Sequence, residues 1–83
     1  MPLYMDIHKK VEGVSPEALA EAHRKDVETQ GKYGVKYQKY WLDKDTETVF
    51  CLVEAPDKES ASRVHMEAHG LVADEIHEVE ERS

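Results

Sequence analysis

Residues 48–54, TVFCLVE, form the most apolar stretch of the chain and predict a strand that is buried on both faces. The polar segment Asp43–Thr46 precedes this strand and predicts a turn. Before the turn, residues 35–42, VKYQKYWL, are rich in valine and tyrosine and predict another strand. A strand that is buried on both faces needs packing partners on each side of the sheet, so the flanking segments are interpreted around it.

The segment before these two strands predicts a first strand followed by a helix. Residues 3–11 alternate between apolar and polar side chains, which is the period of a β-strand. Ser15 is a favourable N-cap and Pro16 fits the first helical position, so we expect a helix over residues 16–30. Gly31 is expected to end this helix. Its predicted apolar stripe comprises Leu19, Ala20, His23 and Val27.

The segment after residue 54 predicts a second helix and a last strand. Asp57 opens the helix, which we expect over residues 57–69 and which closes at Gly70. Its predicted stripe comprises Ala61, Val64, His65 and Ala68. Residues 74–80 predict the fourth strand. The element order is therefore βαββαβ over one domain, residues 1–83, which is the ferredoxin-like arrangement.

This order predicts an α+β fold with two layers. A four-stranded antiparallel sheet carries both helices on one face and leaves the other face open. Because the third strand is expected to be buried on both sides, the open face needs a cover. The simplest cover is a second copy of the chain, so we expect a two-fold homodimer.

The composition excludes several classes of function. The 83 residues include 18 acidic and 11 basic side chains, and the net charge of −7 would repel a nucleic-acid backbone. The longest apolar run, residues 49–53, is too short to span a bilayer, and the N-terminus lacks the features of a secretory signal. We therefore expect a cytoplasmic protein with no nucleic-acid or membrane partner. The single cysteine, Cys51, is expected to be a buried, inert thiol.

His65 and His69 are the first candidates for metal ligands. Their four-residue spacing places both imidazoles on one face of the second helix. Two neutral imidazoles can chelate Ni²⁺, Zn²⁺, Co²⁺ or Cu²⁺. Each histidine also has a structural interpretation. His65 lies on the apolar stripe, where a hydrogen-bonded core histidine is also expected, and His69 lies in the last turn, where a cation meets the negative end of the helix dipole.

The predicted topology brings further donors toward the end of the second helix. The fourth strand is expected to pair with the first, which places His8 near Glu75 and His77. If Ile7 and Ile76 point toward the helices, the polar side chains of these two strands share the open face and form a nitrogen and oxygen site. The helix pair would then form a separate site, and His8 and His77 could alternatively be a cross-strand polar pair. The candidate metal ligands are His65, His69, His8, His77, Glu75 and Asp6.

Several blocks of the sequence resemble a known family, that of small bacterial nickel-responsive, nickel-binding proteins. The resemblance covers nearly the whole chain and implies a ferredoxin-like dimer that binds nickel, with sequestration or detoxification as its role. It implies no established catalysis. His65 and His69 match motif positions, and His8 matches less closely. The blocks are KYGV at 32–35, YW at 40–41, VFCLVEAP at 49–56, VH at 64–65, EAHGL at 67–71 and DEI at 74–76.

Two functions of different classes fit these patterns. In the first, imidazole and carboxylate ligands hold Ni²⁺, with water completing a six-coordinate site. In the second, the chain is a small cofactorless enzyme of the oxygenase or isomerase type, by analogy with other ferredoxin-like dimers of this size. His65 or His23 would then be the general base, and Trp41 with the tyrosines would line the pocket. Otherwise His23 is interpreted as a core histidine. A closed apolar cavity beside His65 would favour the enzyme.

Overall fold

Four strands and two helices follow one another in the predicted order. In the computed structural model, which describes residues 1–83, the strands are β1 (Leu3–His8), β2 (Lys36–Asp43), β3 (Thr48–Glu54) and β4 (Glu75–Glu78), and the helices are α1 (Pro16–Thr29) and α2 (Lys58–Ala68). All strand pairs are antiparallel, and the sheet order is β2-β3-β1-β4. The predicted ferredoxin-like fold is confirmed, with the most apolar strand inside the sheet. Neither helix combines the length and hydrophobicity that a membrane span requires.

Side-chain caps fix where both helices begin. The backbone N–H of Ala18 donates a hydrogen bond to Ser15 Oγ, with 3.1 Å between nitrogen and oxygen. At the start of α2 the backbone N–H of Ser60 donates to Asp57 Oδ1 at 2.7 Å. Each cap satisfies one of the N–H groups that the first helical turn leaves without a partner. The predicted start of each helix is confirmed to within one residue.

The end of α1 was predicted incorrectly. After Thr29 the chain continues as a short 3-10 helix, Gln30–Tyr33, instead of stopping at Gly31. The left-handed backbone that ends the helical segment occurs at Gly34, with φ of 65°. A glycine adopts this conformation without the steric cost that a Cβ atom imposes. Gly31 and Gly34 are both suited to end a helical segment, and the chain uses the second.

The core lies between the helices and the inner face of the sheet. From α2 it receives Ala61 and Val64, as predicted. The buried face of α1 differs from the predicted stripe, because Val27 is 46 % exposed whereas Asp26 is only 3 % exposed. The buried core residues are Tyr4, Val35, Tyr37, Val49, Cys51, Val53, Ala55, Ala61 and Val64.

Strand β1 turns its polar side chains inward, contrary to the prediction. Asp6 and His8 are buried beneath the helices, whereas Ile7 lies opposite Glu75 on the open face of the sheet. The expectation that Asp6 and His8 share the open face with Glu75 and His77 is therefore wrong. The physical reason is that the inward polar groups find hydrogen-bonding partners on the helices, which removes the cost of burying them.

The open face of the sheet is largely apolar. Met5 and Ile7 of β1 lie beside Leu52 and Phe50 of β3, and Trp41 of β2 lies beside Phe50. The indole of Trp41 is 47 % exposed in the single chain. The enzyme interpretation expected Trp41 to line an internal pocket between helices and sheet, and it does not.

Candidate metal centre

The carboxylate of Asp6 is fully buried at the centre of a polar cluster. The Tyr37 hydroxyl donates a hydrogen bond to Asp6 Oδ2 at 2.9 Å, and His65 Nε2–H donates to the same oxygen at 3.0 Å. His8 Nε2 lies 3.3 Å from Asp6 Oδ1. Burial by itself raises the pKa of Asp6, but the hydrogen bond and positive charge of His65, with His8 close by, outweigh it and hold the pKa well below its usual range. Asp6 is therefore an anion inside the protein.

The imidazole of His65 is held between two carboxylates. Its Nδ1–H donates to Asp26 Oδ1 at 2.8 Å while Nε2–H donates to Asp6. Burial by itself lowers the pKa of His65, but the two carboxylates outweigh it and raise the pKa from 6.5 to about 9. His65 is therefore an imidazolium at neutral pH, with a proton on each nitrogen.

Asp26 of α1 contacts His65 of α2 and also His69, the residue that follows α2. His69 Nε2 lies 3.0 Å from Asp26 Oδ1, and the backbone N–H of Leu71 donates a hydrogen bond to His69 Nδ1 at 3.1 Å. Because Nδ1 accepts a hydrogen bond, the proton of this ring is on Nε2. Burial raises the pKa of Asp26, but the hydrogen bonds from His65 and His69 lower it overall. We call the five residues Asp6, His8, Asp26, His65 and His69 the buried cluster.

One atom of the buried cluster, Asp6 Oδ1, has no hydrogen-bond partner. An unpaired buried oxygen is costly, so a native protein that keeps one usually has a use for it. Asp6 Oδ1 lies 3.3 Å from His8 Nε2, close enough for one ion to contact both atoms. Two groups of residues each bring their donor atoms within 4.8 Å of one another. The first group is Asp6, His8, Cys51 and His65, and the second is Asp26, His65 and His69. Nitrogen, oxygen and sulfur donors together suit a first-row transition ion.

The Cys51 thiol is buried beside this cluster. Cys51 lies opposite Asp6 in the pairing of β1 with β3, so both side chains point toward the helices. Burial and the adjacent Asp6 carboxylate raise the pKa of the thiol. The predicted burial is confirmed, and the sulfur is among the donor atoms around Asp6.

A narrow cavity opens beside the buried cluster, between α1 and the sheet. His23 and Tyr40 form part of its lining, with ring centroids 4.8 Å apart, together with apolar side chains such as Leu19 and Val49. Its interior admits roughly two or three water molecules. The cavity gives an ion or water access to His8, His65 and Cys51. A substrate larger than this would have to displace side chains.

Glu75 and His77 lie apart from the buried cluster, on the open face. His77 Nε2 is 2.8 Å from Glu75 Oε1, and Lys9 forms an ion pair with the same carboxylate group. The side chain of His77 is 56 % exposed. The structure therefore brings together four of the six predicted ligands, namely Asp6, His8, His65 and His69, and leaves this pair as a separate surface feature.

Two members of the polar network were missed in the sequence. Asp26 was overlooked because an acidic residue on an amphipathic helix is normally solvated. Its spacing of seven from Leu19 and three from His23 gave a signal, since these positions share one helical face. Tyr37, whose hydroxyl lies near both Asp6 and the Ala61 carbonyl oxygen, gave no signal beyond its place in a strand.

The fold and the buried cluster define a small ferredoxin-like protein whose interior holds a set of donors suited to a transition ion. The chain belongs to a particular family of this class, the one described as "Nickel responsive protein SCO4226-like", which residues 4–79 match. A search of curated proteins finds no match.

The chain is also similar to a solved structure, that of SCO4226 from Streptomyces coelicolor A3(2). The two sequences are 36 % identical, and the similarity covers 98 % of this chain and 99 % of the other. The TM-score of 0.90 indicates the same arrangement of strands and helices throughout.

Proposed function

We propose that this protein binds a divalent transition metal, with Ni²⁺ as the first candidate, and sequesters it in the cytoplasm. The observation that carries the proposal is the unpaired, fully buried Oδ1 of Asp6 among imidazole donors. The ligands are Asp6, His8 and His65, with His69 and Asp26 beside them. The description of the family as nickel-responsive supports the choice of ion.

Metal binding requires a change in the hydrogen bonds of His65. Both ring nitrogens donate protons to carboxylates in the structure, so neither has a free lone pair. Binding at Nε2 would require its proton to leave to water, and a divalent ion in that place would raise the positive charge beside Asp6 by one. The Nδ1–H bond to Asp26 then fixes the orientation of the ring, as carboxylates do for many metal-binding histidines.

We expect His8→Ala to weaken Ni²⁺ binding by more than the roughly 10- to 100-fold that loss of a residue supporting a ligand costs. His8 is chosen because its nitrogen lies 3.3 Å from the unpaired oxygen without a hydrogen bond, so its removal disturbs folding least. The measurement is calorimetric titration of chelator-treated protein with Ni²⁺, Zn²⁺ and Co²⁺. The matched control is His77→Ala, an exposed histidine on the other face, which we expect to bind as tightly as the natural chain.

Two results would contradict this proposal in different ways. If His8→Ala binds normally and His77→Ala does not, the metal site is the surface pair of Glu75 and His77. If neither the natural chain nor either variant binds metal, the metal proposal fails. The cavity beside His23 would then become the leading site, for a small molecule in the enzyme interpretation.

We also propose that the open face of the sheet forms a two-fold dimer. Met5, Ile7, Phe50 and Leu52 form an apolar surface that ends at the exposed indole of Trp41. Burying such a surface against a second copy removes apolar area from water, which favours association.

We expect Trp41→Glu to convert the dimer to a monomer that remains folded. The indole is nearly half exposed in one chain, so the substitution leaves the core intact, whereas in a dimer it places a charge in an apolar contact. Light scattering after size exclusion measures the mass. Met66→Glu, at a 61 % exposed position of α2, is the matched control and should retain the mass of two chains. A natural chain with the mass of one chain would refute the dimer.

A further inference from the structure

We propose that the Cys51 thiolate is the fourth ligand of the metal held by Asp6, His8 and His65. The site is then a closed, four-coordinate centre with two nitrogens, one oxygen and one sulfur. This inference rests on the proposed function and adds to it a ligand that the sequence had suggested was inert.

The geometry of β1 and β3 places the sulfur where a fourth ligand belongs. Cys51 is directly opposite Asp6 in the sheet, and both side chains point into the same layer. The donor atoms of all four residues lie within 4.8 Å of one another, and all four side chains are buried. The unpaired Asp6 Oδ1 is an independent sign that the space among them suits a cation.

The buried layer supplies four donor residues, namely Asp6, His8, Cys51 and His65. A site made of these four alone has no need of the water ligands in the six-coordinate arrangement suggested by the sequence.

The chemical step is ligand exchange without oxidation or reduction. As the ion loses its water ligands and enters through the cavity, the S–H bond of Cys51 and the Nε2–H bond of His65 break. Their electron pairs form the sulfur–metal and nitrogen–metal bonds, and both protons pass to water. A thiolate ligand makes the site selective for Zn²⁺, Co²⁺, Ni²⁺ or copper over Mg²⁺, Ca²⁺ and Mn²⁺, which prefer oxygen donors.

Titration with Co²⁺ under reducing conditions tests the inference, because its absorption spectrum reports both sulfur ligation and coordination number. For the natural chain we expect a thiolate-to-cobalt charge-transfer band in the near ultraviolet and the intense visible bands of four-coordinate Co²⁺. We expect Cys51→Ser to lose the charge-transfer band and to bind Co²⁺ about tenfold more weakly or worse. Cys51→Ala serves as a second variant if the serine protein does not fold.

The possible outcomes separate this inference from the proposed function. If Co²⁺ binds to the natural chain, binding is lost in His8→Ala, and no charge-transfer band is present, the metal site stands and Cys51 is not a ligand. If the band persists in both cysteine variants, it does not come from Cys51 and the inference is wrong. If the natural chain binds no Co²⁺, Ni²⁺ or Zn²⁺, both proposals fail together.

Discussion

Replacing Asp6 with alanine is expected to lower the free energy of unfolding by about 3–5 kcal/mol in the metal-free protein. Asp6 is fully buried and accepts hydrogen bonds from His65 and Tyr37. Its removal leaves the buried imidazolium of His65 with one of its two carboxylate partners, and the buried Tyr37 hydroxyl without its carboxylate acceptor. Removing one partner of a buried ion pair destabilises a protein strongly, because the charge that remains is buried without compensation. Urea unfolding at about pH 6, in the presence of a chelator and at one protein concentration, measures the change.

Two further variants show whether this cost comes from burial. Glu75→Ala removes a carboxylate from the neighbouring strand, where it is paired with Lys9 and His77 at the surface, and should change stability by less than about 1 kcal/mol. Asp6→Asn retains a hydrogen-bond acceptor but not the charge, so its effect should lie between the other two. An Asp6→Ala protein as stable as Glu75→Ala would show that the carboxylate is not held as described.

Raising the pH from 6.5 to above 9 is expected to remove about 3 kcal/mol of stability from the metal-free protein. The pKa of His65 is about 9 in the folded state and 6.5 by default, so folding favours the protonated form. This stabilisation is fully present below pH 6.5 and is lost as the pH rises through about 9. A difference of about 2.5 between the two pKa values, at about 1.4 kcal/mol for each pH unit, gives about 3.5 kcal/mol at low pH, of which about 3 kcal/mol is still present at pH 6.5. The side chain is only 2 % exposed, so solvent screening is small.

Urea unfolding at intervals between about pH 6 and pH 9.5 measures this loss, below the range where lysines titrate. The Asp6→Asn variant is the informative comparison, because it removes one of the two carboxylates that raise the pKa of His65. We expect a shallower decline in stability for that variant. Stability that is constant or rises over this range in the natural chain would show that His65 is neutral in the folded protein.

The sequence was sufficient for the fold because its strongest signals are local. The apolar run of β3 identified the interior strand to the residue, and Ser15 and Asp57 identified both helix starts. The prediction failed at the end of α1, where two residues suit the same role. Gly31 and Gly34 both suit the end of a helical segment, and only the packing of the following strand selects the second.

The candidate site was only partly predictable, because the faces of β1 depend on residues far along the chain. Apolar character alone assigned Ile7 to the core and Asp6 to the open face. Burial of Asp6 becomes favourable only when His65 supplies a proton from a position 59 residues away. Asp26 is similar, since its partner is 39 residues away on the other helix. The local sequence patterns of β1 and α1 therefore could not predict the contacts of Asp6 and Asp26 with His65.

These same long separations have a consequence for how long a bound ion stays. The contacts of His65 close loops of 39 and 59 residues, and such non-local contacts are slow to form because loop closure costs chain entropy before the contacts stabilise anything. A cation that recognises only the assembled cluster therefore stabilises the native state with little effect on the folding rate, and it slows unfolding instead. If the buried cluster holds an ion as proposed, its residence time would depend on how often the layer between helices and sheet opens.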